Sequence, residues 1–182
     1  MWLDLTGISP DGDGHLFNAL KESFVRKFVT QLGFAAALGT ATLANAATID
    51  VAFEIPALAA ERYANPYVAI WAEEGREAKP LLLWHLNKKE DKWLPDIKRW
   101  WRKIGRYDAH VDSLTGATRG PGNYQETLDI GAAQTFTLYL EVVRENGGRS
   151  LVDTKIDLTQ KQNTYTIPAA DEIGQVTITV NR

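Results

Sequence analysis

The sequence predicts an all-β sandwich, on three observations. Seven segments alternate apolar and polar residues with a period of two, as strands do when one face is buried and the other is not. Turn residues separate them, and Asn146-Gly147-Gly148 composes a hairpin turn between two of them. No helices alternate with the strands, which removes the parallel sheets that crossover helices build. Short strands without crossovers are the pattern of an immunoglobulin-like antiparallel β-sandwich.

Taken in order, the chain opens with residues 1–20, a stretch with none of the features of a signal, read as an extension from a start codon assigned too far upstream. Residues 21–46 read as a signal peptide: Lys21, Arg26 and Lys27 lead, an apolar run from Phe28 to Leu43 follows, and Ala44-Asn45-Ala46 supplies an A-x-A cleavage site. That apolar run falls short of the roughly 20 residues a membrane span needs. Cleavage after about Ala46 would leave residues 47–182 as a single soluble sandwich domain, exported to the periplasm.

Within that domain Ile49, Val51, Phe53 and Ile55 share one face of the first strand, with Asp50, Ala52 and Glu54 on the other. Further strands are expected over Tyr67 to Glu73, Leu81 to Leu86, Thr135 to Val143, Leu151 to Leu158, Asn163 to Ile167 and Gln175 to Val180, with Phe136, Leu138, Leu140 and Val142 inward. One segment departs from the period. In residues 93–106, Leu94, Ile97, Trp100, Trp101 and Ile104 recur at helical spacing, Pro95 suits a first turn and Gly105 an end, which predicts a short amphipathic helix at about 95–104.

Composition bounds the function. The 182 residues carry 20 basic and 23 acidic side chains, a net charge of −3, and no cysteine. Removing residues 1–46 leaves 17 basic and 19 acidic side chains, a mildly acidic balance that argues against a nucleic-acid partner. Without cysteine there are no disulfides, thiolate metal sites or cysteine nucleophiles, so any redox role rests on a cofactor held by other chemistry. No Walker loop, dinucleotide-binding glycine pattern, Ser-His-Asp order or zinc-protease motif is present.

The segment after the predicted helix, Asp112-Ser113-Leu114-Thr115-Gly116-Ala117-Thr118 followed by Arg119-Gly120-Pro121-Gly122, combines small, hydroxyl and turn residues. Read from the residues alone, it is either a turn capped by its own hydroxyls or an accessible Thr flanked by residues small enough for an enzyme to close over. It resembles the acceptor motif of extracytoplasmic flavoproteins, among them the flavin subunits of sodium-pumping NADH:quinone oxidoreductase, in which a flavin transferase joins FMN through its phosphate to the last Thr. The runs Pro66 to Glu73, "KWLPDIKRWWRK", "DSLTGATRGPGNY" and "YLEVVRENGG" together resemble the exported domain-of-unknown-function family 2271, over most of the mature chain. The stretch after Tyr124 departs from that family, with "QETLDIGAAQ" where a longer Trp- and Gly-containing turn is expected.

The resemblance implies covalent FMN on Thr118, with Asp112, Thr115, Gly116 and Ala117 recognised by the transferase and Arg119 placed to pair with the phosphate. Trp100 is a candidate for stacking on the flavin, although its spacing first of all fits a helix packed on the sandwich. The implied function is an extracytoplasmic electron carrier between a membrane redox protein and a downstream acceptor, with no substrate of its own. The alternative is a cofactor-free periplasmic binding or scaffold module of the same fold. The basic residues of 88–106 read as a solvated helix face, or else as a docking patch for an acidic partner or the flavin phosphate. His85 and His110 read as packed or surface histidines, and Glu141 and Arg144 as a surface pair.

Overall fold

The computed structural model describes residues 47–59, 62–86, 91–107, 114–145 and 147–181. The extension and signal peptide expected over residues 1–46 lie outside the described residues, as do His110, Asp112 and Asn146. The described strands are β1 (Ala47–Ile55), β2 (Tyr67–Glu74), β3 (Glu77–His85), β4 (Thr115–Ala117), β5 (Gly122–Gly131), β6 (Thr135–Val143), β7 (Arg149–Asp157), β8 (Thr164–Ile167) and β9 (Val176–Asn181). They form a four-stranded sheet, β5-β1-β9-β8, and a five-stranded sheet, β4-β3-β2-β6-β7. One apolar core lies between the two sheets, so the fold is an all-β sandwich.

Period two does what the sequence promised. Ile49, Val51, Phe53 and Ile55 of β1 and Phe136, Leu138, Leu140 and Val142 of β6 are all buried in the common core. Val176, Ile178 and Val180 of β9, beside β1, and Val68, Ile70 and Ala72 of β2, beside β6, complete the same core. Hairpins set the register between neighbours: β2 and β3 are joined through Gly75, whose φ of 59° lies in the left-handed region a tight turn needs. Pro80 is accommodated within β3 because it sits opposite Trp71, where the β2–β3 register shifts.

The five-stranded sheet is covered on both faces. Tyr67, Ala69, Trp71 and Leu83 turn away from the sandwich core and meet Ile97, Trp100 and Ile104 in a second cluster. That explains why Tyr67 to Ala72 is buried throughout: β2 is a central strand with no solvent face. The covering layer is the predicted helix, built as a 3-10 turn (Leu94–Asp96), a short α-turn (Lys98–Trp100) and a π-turn (Trp101–Gly105). Close packing sets this irregular course, since a Cβ on Gly105 would stand 2.5 Å from the Trp100 ring and 2.6 Å from the Trp101 ring.

Two expectations are corrected. Most of residues 125–134, where a turn is expected, belong to a ten-residue strand, β5 (Gly122–Gly131), paired along its whole length with β1. Its inward positions are Tyr124, Glu126, Leu128 and Ile130, and a glutamate there conceals the alternation. The sandwich is also not wholly antiparallel. Residues 115–117, inside the segment read as a loop, form β4 and pair in parallel with β3, matching Thr115 with Leu83, Gly116 with Trp84 and Ala117 with His85.

Candidate functional site

The motif lies where the two sheets meet along one side. Edge strand β4 belongs to the five-stranded sheet and edge strand β5 to the other, and Thr118-Arg119-Gly120-Pro121 crosses between them. Phe53 of β1, Trp84 of β3 and Tyr124 of β5 close the gap beneath, with ring centroids 5.0–5.9 Å apart. The Trp84 ring is buried and packs edge-on against Tyr124.

Each described residue of the motif has a place on this frame. Gly116 lies over Trp84, and a Cβ there would come within 3.2 Å of Cδ1 of that ring. This is why glycine suits the position: its φ is unremarkable, but a Cβ there would press on the indole. Thr115 is half-buried, Ala117 is exposed, and Thr118, the first residue past the strand, is half-buried. Arg119 lays its guanidinium over the Trp84 ring at 4.3 Å and pairs with Glu126 at 3.0 Å. The Tyr124 hydroxyl donates to the Gly120 carbonyl at 2.7 Å, fixing the crossover from below.

Trp100 is placed elsewhere. It is fully buried in the second cluster, beside Trp101 on the sheet-facing side of the helical layer, and its indole N–H finds no acceptor among the described residues. Its ring has no exposed face for a flavin to stack on in this conformation. The aromatic side chain beside the motif is Trp84, which the sequence reading passed over as a strand residue.

A second group of polar residues ties the helical layer to the sheet. Glu141 and Arg144, expected as a surface pair, are both buried and do not pair with each other. The Glu141 carboxylate accepts the backbone N–H of Arg99 and Trp100 at 2.9–3.1 Å and Arg149 Nε at 2.7 Å. It thus caps the start of the helical segment, satisfying amide donors that a helix's first turn leaves unpaired. Arg144 Nη2 lies 2.9 Å from Glu172 Oε2, held by charge rather than by an aligned hydrogen bond, and its guanidinium stacks over Tyr63 at 4.4 Å. Glu141 reads as a surface residue in sequence because an outward strand position looks solvated until a further layer is known to cover it, and Glu172 lies in a turn, where no period marks burial.

Glu73 forms another clamp. Arg99 Nη2 approaches it at 3.1 Å, Lys103 Nζ at 3.3 Å, and Trp71 Nε1 donates to it at 2.9 Å. Burial works against its charged form, yet the Trp71 N–H, Lys103 and Arg99 outweigh it and hold the carboxyl below its ordinary value. Asp91 collects a third set: Tyr67 Oη and the Trp93 N–H donate to Oδ1, the Leu86 N–H donates to Oδ2, and His85 Nδ1 lies 3.0 Å from Oδ2. Burial, and then the Asp91 carboxylate, push the Tyr67 phenol far above its ordinary value. His85 is therefore a packed histidine, oriented by a carboxylate.

Among the described residues no group of three or more His, Asp or Glu side chains is arranged to hold a metal, and no helix is long and apolar enough to cross a membrane. Neither a curated protein nor a solved structure matches the chain. One family model does match, over residues 48–175, from the start of β1 to the residue before β9. By that match the chain belongs to the family DUF2271, described as predicted periplasmic protein.

Proposed function

We propose that the protein is an exported flavoprotein that carries FMN esterified through its phosphate to Thr118 Oγ1 and serves as an extracytoplasmic electron carrier. The observation that carries this reading is the conjunction of the Asp112–Thr118 motif with the position of its last residue. Thr118 opens the four-residue crossover between the two sheets, next to exposed Ala117 and a glycine seated on Trp84. A flavin transferase would form the Oγ1–P bond from an activated FMN donor, whose leaving group departs as the hydroxyl loses its proton.

The residues present fit a phosphate ester at this point. Small neighbours leave room around Thr118, and Arg119 places a guanidinium one residue away. That guanidinium is already engaged by Glu126 and by the Trp84 face, so a phosphate would share it rather than meet a free cation. When bound, the flavin supplies one- and two-electron chemistry, and the chain supplies its placement. A membrane redox protein as donor and a downstream acceptor follow from the same resemblance.

A specific observation favours a second reading, a cofactor-free binding or scaffold module. Thr115 to Ala117 form a strand, Gly116 fits Trp84, Arg119 closes over the aromatic group and the Gly120 carbonyl is held by Tyr124, so much of the motif also has a structural task. Intact mass after co-expression and export with a flavin transferase separates the two. The flavoprotein reading expects an FMN-sized addition on the wild type and none on Thr118→Val. An unmodified wild type beside a working positive control would leave the scaffold reading.

A further inference from the structure

The cations of the helical segment divide into two sets. Arg99 and Lys103 lie four residues apart and both close on Glu73, which binds the segment to β2. Lys98, Arg102 and Arg106, also spaced by four, are exposed and pair with no carboxylate among the described residues. Arg102 Nε donates instead to the Lys98 backbone carbonyl at 3.2 Å, and the Arg106 guanidinium lies 5.9 Å from the Tyr107 ring centroid. The first set is structural. The second makes no ion pair with the sheets among the described residues.

This unpaired row borders an open groove of about 310 Å³ lined by Pro95, Lys98, Trp101, Arg102, Arg106 and Arg149. Among the described residues, four of the six that line it are cationic and none is acidic, on a chain whose net charge is −3. Arg149 reaches it from β7, with its Nε anchored on buried Glu141. The nearest acid of the helical segment, Asp96, is exposed and lines a different hollow, with Tyr67, Trp93 and Glu145. The groove lies toward β7, at the opposite edge of the five-stranded sheet from β4, so it is separate from the motif.

We propose that this groove docks an acidic segment of a partner protein, its carboxylates meeting Lys98, Arg102, Arg106 and Arg149 and its backbone crossing Pro95 and Trp101. Charge complementarity selects an acidic occupant, and guanidinium forks suit carboxylates. An arginine-rich rim around an indole and a proline is the composition of a protein interface. The groove is open rather than enclosing, which suits a chain segment better than a small ligand. The inference stands independently of what Thr118 carries.

The test is fluorescence anisotropy with a labelled oligoglutamate peptide, at low and at physiological ionic strength, beside co-sedimentation with phosphatidylglycerol vesicles. The proteins are the wild type, Lys98→Gln/Arg102→Gln/Arg106→Gln, and Arg76→Gln/Lys155→Gln/Lys161→Gln as a charge-matched control at exposed positions. The expected result is peptide binding that weakens as salt rises, falls about tenfold or more in the triple variant and is unchanged in the control. Equal binding by the triple variant overturns the proposal. So does binding to vesicles without binding to peptide, which would make the face a lipid-binding one, and so does binding to neither.

Discussion

Gly116 shows how a single position can serve a motif and a fold together. Its backbone lies against Trp84, and Trp84 cannot yield, because Phe53, Tyr124 and the Arg119 guanidinium hold the ring on three sides. Gly116→Ala would place a Cβ 3.2 Å from Cδ1 of that ring. The expected cost is about 1–3 kcal/mol, as for overpacking a filled site, read from the midpoint of a denaturant titration. An unchanged midpoint would mean that β4 lifts away from β3 at little cost, and that glycine is present for a modifying enzyme rather than for packing. The motif was legible in sequence as a string of small and turn residues; its pairing with β3 was not. Three residues carry no period, and the partner that makes them a strand lies some thirty positions earlier, at Leu83 to His85.

At the scale of elements, the helical segment is held by carboxylates as well as by its apolar face. Glu141 accepts two backbone N–H groups at its start, and these bonds matter because the segment is too short to be stable alone. Glu141→Gln keeps the shape but removes the charge and turns one acceptor into a donor facing other donors. A loss of about 3 kcal/mol is expected, the range for breaking a buried charge network. Chemical denaturation followed by tryptophan fluorescence measures it, and a loss under about 1 kcal/mol would show that apolar packing alone seats the segment. The helix itself was legible from Leu94, Ile97, Trp100 and Ile104, and β1 and β6 from strict alternation. Glu141 was not, because it occupies an outward position of β6, and outward means solvent only in a two-layer sandwich. The strand β5 was hidden for the opposite reason: an edge strand needs fewer apolar residues, and Glu126 interrupts the ones it has.

The described residues form two sheets and an outer helical layer, and the layers are held differently. The inner core is almost wholly apolar, whereas the outer layer is fastened to β2 through an ion-pair clamp, Arg99 and Lys103 on Glu73. The outer layer should therefore respond to acid first. Glu73 is held below its ordinary value of 4.5, so the clamp contributes its full stabilisation above that pH and loses it as pH falls through the depressed folded value. Near-ultraviolet circular dichroism reports the layer through Trp71, Trp100 and Trp101, while the far-ultraviolet signal reports the sheets. On acidification the near-ultraviolet signal is expected to fall first, below about pH 4.5, with the strand signal persisting to lower pH. Glu73→Gln should carry the weakened near-ultraviolet signal to neutral pH and remove its dependence on pH across that window. Coincident transitions in the wild type, left unmoved by the substitution, would show that the three layers unfold as one unit and that the clamp adds nothing separable to it.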